Sequence, residues 1–255
     1  MLDVAVSAAK KAGEVLDHYF EMTALEREVK DDKSFVTKAD KESEKKIVSA
    51  VTEAFPEHGI LGEEGADVNP GAEFQWVIDP LDGTSNFVNG IPIFAVSIGI
   101  LKNGKPYAGV VYNPITESLY VGEQCKGVTY NGKPVTVSNQ AADKGLVTVG
   151  YGSKMKDKEQ GRSLPGNSFK FFRSTRLLGC AALELAYVAR GGTEGFMCLG
   201  LKKWDYAAGS LLIQEAGGTI TTLSGGDWNM DENYFVASNG VVHDQLVGLA
   251  ASLVK

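Results

Sequence analysis

The sequence predicts a mixed α/β fold, α+β in the ordering of its parts, and three observations carry that reading. Apolar side chains recur at helical spacing near the N-terminus and again after residue 40. Between Ile91 and Val137, strand-like runs alternate with turn dipeptides at hairpin spacing. Beyond residue 139, short apolar runs alternate with helices that stop at glycine pairs. A length of 255 residues accommodates one large domain or two packed halves around a sizeable core. The change of pattern near residue 138 divides the chain into an N-terminal half, 1–138, and a C-terminal half, 139–255.

In order, Val4, Ala8, Ala12, Val15, Leu16, Tyr19 and Phe20 share one face of a helix over residues 2–22. A charged stretch, Glu26 to Asp32, leads into Phe35-Val36-Thr37, which reads as extended. A second helix starts at Asp40, turns Ile47, Val48, Val51, Ala54 and Phe55 inward, and ends before Pro56. Ile60-Leu61-Gly62 is a short strand ending in the adjacent acids Glu63 and Glu64, whose side chains point to opposite sides of extended backbone. Trp76-Val77-Ile78 reads as a strand buried on both faces and stopped at Asp79-Pro80, since proline has no N–H for the ladder.

Further on, Ile93 to Leu101 opens an antiparallel meander punctuated by Asn103-Gly104, Asn113-Pro114 and Asn131-Gly132. Residues 139–160 carry little signal apart from the strand Leu146 to Val149. Phe169 to Arg173 is a strand candidate, and Arg176 to Gly192 reads as strand end, glycine turn and helix. A strand at Phe196 to Leu199 precedes a helix opening at Trp204-Asp205, then strands at Thr219 to Thr222 and Tyr234 to Ala237, and a last helix over Asp244 to Val254.

A net charge of −7 and the lack of a basic stripe argue against a nucleic acid polymer as the main partner. They are compatible with a phosphorylated substrate, because bound cations reverse the local field. Cys125, Cys180 and Cys198 show no CxxC spacing, and His18, His58 and His243 form no ligand pattern. No run approaches the roughly 20 apolar residues of a membrane span. The N-terminus reads as an amphipathic helix and not as a signal peptide, so a cytoplasmic location is expected.

Chemistry concentrates at Asp79-Pro80-Leu81-Asp82-Gly83-Thr84. Two carboxylates stand three residues apart where a strand runs out, a glycine permits a tight turn, and Thr84-Ser85-Asn86 opens a helix with free N–H groups. That combination suits a phosphate held with hard divalent cations. Taken alone it equally suits a strand-ending turn with Asp79 as a cap, just as Asp40 and Asp205 alone suit helix caps.

Three segments in this order, Gly62-Glu63-Glu64, Asp79 to Thr84 and Trp204 to Gly209, resemble the inositol monophosphatase family of Mg²⁺-dependent, lithium-sensitive phosphomonoesterases. Val36 to Asp40 and Leu178 to Gly191 extend the resemblance over essentially the whole chain. It implies a layered αβαβα sandwich, of the type shared with fructose-1,6-bisphosphatases, and a homodimer. By position, Glu63, Asp79 and the Leu81 carbonyl would hold one Mg²⁺. Asp79, Asp82 and Asp205 would hold a second, and a third would lean on Glu63. Thr84, partnered by Asp40, would orient the attacking water, and the N–H groups of Gly83, Thr84 and Ser85 would cradle phosphate.

Substrate contacts would come from Gly179, Cys180, Ala181, Asp82 and Asp205. The family's glutamate seven residues before that last aspartate is here Cys198, which cannot accept a strong hydrogen bond from a sugar hydroxyl. Arg173 and Arg176 could instead meet a second phosphate or stand as exposed strand-edge residues, and Lys30 or Lys33 could approach the first phosphate. The implied reaction is hydrolysis of an inositol monophosphate or related sugar or polyol phosphate. Fructose 1,6-bisphosphate, histidinol phosphate and 3′-phosphoadenosine nucleotides are the alternatives within the class, and a non-catalytic phosphate sensor is the alternative outside it.

Overall fold

The computed structural model describes residues 1–20, 28–29, 35–168 and 171–253. Helix α1 (Leu2–Phe20) turns Ala5, Ala8, Ala9, Ala12 and Leu16 inward, and these small side chains let α2 (Lys38–Ala54) lie close beside it. Between them β1 (Glu28–Val29) and β2 (Phe35–Val36) form an antiparallel pair. The second helix begins before Asp40, the position expected from sequence. Thr37 is its cap: Thr37 Oγ1 accepts the Ala39 N–H at 3.1 Å, and Asp40 Oδ2 accepts the Thr37 N–H at 2.8 Å. Asp40 is thus the third residue of a capping box, not the first of a helix.

An eight-stranded sheet follows: β3 (Gly59–Gly62), β4 (Asp67–Val68), β5 (Phe74–Asp82), β6 (Ala95–Lys102), β7 (Lys105–Asn113), β8 (Ser118–Glu123), β9 (Gly127–Tyr130) and β10 (Lys133–Val135), with a single helical turn, α3 (Thr84–Phe87), after β5. Its spatial order is β10-β9-β8-β7-β6-β5-β3-β4, antiparallel except for β3 beside β5. The meander from β6 to β10 is the one its turn residues predict. Asn103 and Gly104, and again Asn131 and Gly132, all have positive φ, as a two-residue hairpin turn of the primed type requires.

The second sheet contains β11 (Leu146–Tyr151), β12 (Ser174–Arg176), β13 (Gly195–Leu199), β14 (Thr219–Thr222) and β15 (Tyr234–Ser238) in the order β12-β11-β13-β15-β14. Helices α4 (Met155–Ser168), α5 (Ala181–Ala189), α6 (Lys203–Glu215) and α7 (His243–Leu253) accompany it. Helix α4 starts within the segment of little sequence signal and runs beyond it, where Gly161, Pro165 and Gly166 break any helical pattern. The strand expected at Phe169 to Arg173 is displaced to β12. Phe171 and Phe172 instead donate their N–H groups to the Ser168 carbonyl and close the end of α4. Phe169 and Lys170 lie outside the described residues.

Side chains alternating along the large sheet sort the layers. Trp76, Ile78, Ile98 and Val110 join α1 and α2 in one core, while Val77, Ala95, Val111 and Tyr120 join α5 and α6 in another. A third core, with Val149, Met197 and Val236, lies under α7. The result is five layers, αβαβα, with α5 and α6 between the sheets. Gly99 and Gly109 leave the sheet bare where α6 crosses it. A Cβ on Gly109 would stand 2.7 Å from the Ala208 carbonyl oxygen. That close seat, with Ser97 Oγ donating to the Trp204 carbonyl at 3.2 Å, fixes the start of α6 against the strands. No helix among the described residues is long and apolar enough to cross a membrane.

Candidate active site

Strand β5 does not stop at Pro80. It runs to Asp82, and its register against β6 slips there: Asp79 faces Ser97 and Asp82 faces Ala95. Three steps on β5 oppose two on β6, which is a bulge, and Pro80 falls inside it, where no ladder donor is required. The bulge has a chemical consequence. Side chains at i and i+3 of a regular strand point to opposite faces, but the extra residue brings Asp79 and Asp82 to one side.

Asp205, in the first turn of α6, meets them there. One carboxylate oxygen from each of Asp79, Asp82 and Asp205 lies within 4.8 Å of the others. Glu63 follows β3, its N–H bonded to the Ile78 carbonyl at 3.1 Å, and its side chain is at hydrogen-bonding distance of Asp79. Asp79 is fully buried, and its Oδ1 also accepts the Leu81 N–H at 2.9 Å. Asp205 Oδ2 accepts the Lys202 N–H at 2.7 Å.

Burial first, and then the carboxylates of Glu63, Asp82 and Asp205, hold the Asp79 pKa well above the usual range. Burial likewise raises Asp82, to about 7, and Asp205 is raised by burial and then by Asp82 and Glu63. Acids packed this closely cannot all ionise unless a cation joins them. An oxygen-only donor set, carboxylates with a nearby carbonyl, matches a hard divalent ion such as Mg²⁺. The residues present therefore fit the metal that the family resemblance implies.

Beside the acids, Thr84 Oγ1 donates between the Leu81 carbonyl, at 3.1 Å, and Asp40 Oδ1, at 3.3 Å. Asp40 is buried, and burial lifts its pKa to about 6 despite the hydrogen bonds from Thr37. Gly83 has φ 93°, and a Cβ there would meet the Ile93 carbonyl at 2.8 Å, so only glycine turns the chain from β5 into α3. Its N–H is taken by the Asp82 carboxylate, whereas those of Thr84 and Ser85, in the first turn of α3, have no acceptor within the helix.

The facing wall comes from the start of α5. Asp82 Oδ2 accepts the Ala182 N–H at 2.6 Å, and the Cys180 thiol donates to the same carboxylate. Gly179, with φ 74°, forms the turn before it. Two side chains to which the sequence assigns no part in the site hold this turn. Asn86 Nδ2 donates to the Leu178 and Ile93 carbonyls, each at 2.7 Å, and buried Glu184 accepts the Leu178 N–H at 3.1 Å. A signal for Glu184 existed: a charged residue in the otherwise apolar run Ala181 to Ala189 has no solvent to face.

Asp82, Thr84, Ser85, Gly179, Cys180 and Asp205 line a cleft of about 240 Å³, closed on another side by Tyr151 and Leu201. Cys198 is not in its wall. It is fully buried in β13, its thiol turned to the Asn233 carbonyl at 3.1 Å. Arg173 and Arg176 are exposed and also absent from the wall; Arg176 bonds Ser174 and the Thr175 carbonyl of its own strand. Lys30 and Lys33 lie outside the described residues.

Comparison with known proteins places this geometry. The profile of the Inositol monophosphatase family matches residues 1–255. The fructose-1,6-bisphosphatase/inositol-1-monophosphatase of Aquifex aeolicus is 38% identical over 260 residues, covering 100% of this chain and 96% of that one. Nus factor SuhB of Pseudomonas aeruginosa is 37% identical over 250 residues, covering 94% and 91%. Among solved structures, the inositol monophosphatase TM1415 of Thermotoga maritima superposes with a TM-score of 0.91 at 32% identity, covering 99% and 97%. The chain belongs to the inositol monophosphatase family and is a phosphoric monoester hydrolase.

Proposed function

We propose that the protein hydrolyses a small phosphomonoester, an inositol monophosphate or related sugar or polyol phosphate, in a Mg²⁺-dependent reaction that releases inorganic phosphate. The observation that carries this reading is the convergence of Asp79, Asp82 and Asp205 within 4.8 Å, on the edge of a cleft that also holds Thr84. Glu63, Asp79 and the Leu81 carbonyl would hold one ion, and Asp79, Asp82 and Asp205 a second, with Glu63 also serving a third. When bound, such ions lower the pKa of water and neutralise charge on the departing oxygen.

The chain's own residues do the rest. Thr84 directs its hydroxyl proton toward Leu81 and Asp40, so its lone pairs are left to accept a hydrogen bond from the attacking water. The N–H groups of Thr84 and Ser85 receive phosphate oxygens, with Gly83 completing the turn that presents them. Gly179, Cys180 and Ala181 border the leaving group, with Asp82 and Asp205 accepting from its hydroxyls. Cys198, standing where the family resemblance expects a glutamate, supplies no carboxylate acceptor in this region, which favours a broader set of leaving groups than inositol alone. The ester oxygen departs with a proton from solvent, and no covalent phosphoenzyme is required.

The site draws Asp79 and Asp82 from the 1–138 half and Asp205 from the 139–255 half, and a homodimer in the cytoplasm is the assembly and location that go with this reading. The relative named Nus factor carries a different label. The net charge of −7 and the complete acid set favour a small phosphorylated substrate here over a nucleic acid polymer. The test is a phosphate-release screen over inositol 1-phosphate, fructose 1,6-bisphosphate, histidinol phosphate and 3′-phosphoadenosine nucleotides, with Mg²⁺ or with chelator. Release that requires Mg²⁺ supports the reading. Indifference to chelator, or binding of these compounds without turnover, overturns it in favour of another chemistry or a sensor.

A further inference from the structure

The buried face of α2 contains an acid that the reaction as described does not use. Asp40, Ser43, Glu44 and Ile47 form one buried stripe, and Glu44 is only 7% exposed. Its carboxylate reaches the turn after β3: Oε2 accepts the Glu64 N–H at 2.9 Å and Oε1 accepts the Ala66 N–H at 3.2 Å. Both carboxylate oxygens are therefore committed to backbone donors on either side of Gly65, immediately after Glu63. Gly62 makes room for them. A Cβ at that position would overlap Glu44 Oε2 and stand 2.8 Å from its Cδ.

We propose that Glu44 is a positioning residue for the metal site, holding the Glu63–Ala66 turn so that the Glu63 carboxylate stays beside Asp79. This rests on the metal-dependent reading above. The Glu63 N–H is bonded to the Ile78 carbonyl, a backbone bond of 2.7 Å joins the Gly62 N–H to the Ala66 carbonyl, and the chain turns away directly after Glu63. Without Glu44, a half-buried carboxylate on this turn would relax away from its acidic neighbours, because their repulsion favours separation. Two charge-assisted hydrogen bonds from a helix already capped at Thr37 oppose that relaxation. The same helix also presents Asp40 to Thr84, so one rigid element sets both the water-orienting pair and the metal-side acid.

The test is Mn²⁺ binding, followed by the electron paramagnetic resonance of the free ion, with thermal melting and phosphate release measured in parallel. Glu44→Gln keeps the volume but offers one acceptor where two N–H groups point. Gly62→Ala keeps the carboxylate but pushes it from its seat. Both variants are expected to weaken Mn²⁺ binding about tenfold or more, within the range found for residues that orient metal ligands. Both should also raise the Mg²⁺ concentration for half-maximal turnover while substrate KM at saturating Mg²⁺ stays near wild type. Lowered melting temperatures with unchanged Mn²⁺ affinity would reduce Glu44 to a structural role and overturn the proposal. If Glu44→Gln does not fold, Gly62→Ala decides alone. Wild-type protein that binds no Mn²⁺ would instead overturn the metal-dependent reading, and the proposal with it.

Discussion

The Asp82 carboxylate accepts the Ala182 N–H at 2.6 Å, across a hundred residues of sequence. One side chain thereby closes the end of β5, caps the start of α5 and contributes to the acid cluster. The large sheet is tied in this way to α5, the helix between the two sheets, at the point where the chemistry is proposed to occur.

Asp82→Asn separates those duties. The amide oxygen can still accept the Ala182 N–H, so the fold should hold, while one proposed anionic metal ligand is lost. Turnover is expected to fall by at least about a hundredfold, the upper range for residues that merely orient ligands, with the circular dichroism spectrum unchanged. Near-normal phosphate release would end the shared-metal account.

Asn86→Ala tests the substrate-side turn. Removing Nδ2 leaves the Leu178 and Ile93 carbonyls without this donor and frees the Gly179 turn from α3. Steady-state kinetics should show KM raised about tenfold, equivalent to about 1.4 kcal/mol, with kcat less affected because the acids keep their own anchors. A pure loss of kcat would mean the turn acts on the chemical step.

His243 supplies a pH dependence remote from the acids. Its ring lies between Ser238 Oγ and Thr221 Oγ1, each at 2.8 Å, and burial lowers its pKa, only partly opposed by neighbouring Asp244. The folded state therefore holds the neutral ring where the unfolded chain would take a proton. The stabilisation is complete above the ordinary histidine pKa of about 6.5 and is lost as pH falls through the lowered folded value. Melting temperatures from pH 8 down to pH 5 should drop more steeply for wild type than for His243→Gln; parallel curves would refute the assignment.

Gly109→Ala probes the seat of α6. The added methyl meets the Ala208 backbone, which cannot swing aside as a flexible side chain would. A cost of about 1–3 kcal/mol is expected from overpacking, read as a lowered urea midpoint, together with weakened activity because Asp205 rides on α6. An unchanged midpoint would show that the helix lifts without penalty.

Much of this was legible in the residues themselves. Helix faces, the Asn-Gly hairpins and the strand at Trp76 followed from local periodicity and turn chemistry, which act over a few residues. Helix α4 did not, because Gly161, Pro165 and Gly166 contradict the helix that tertiary packing imposes. The passage of β5 through Pro80 was hidden for a related reason: proline forbids a ladder bond but says nothing of a bulge in which none is needed. Asp79, Asp82 and Asp205 stand out as a motif, whereas Glu44 and Asn86 act through backbone groups of distant turns that no local pattern announces; Glu184 is betrayed only by its charge in an apolar run. The family resemblance implies a substrate-side position for Cys198, whereas its packing directs the thiol to the Asn233 carbonyl.

The slipped register at Asp79 and Asp82 makes the pairing of this segment with β6 as critical as its composition. An unbroken pleat of the same length would put the two aspartates on opposite sides of the sheet, however well the letters were kept; the extra residue of the bulge is what unites them. A variant in which the two strands paired without the slip would therefore keep its architecture while its acids parted company.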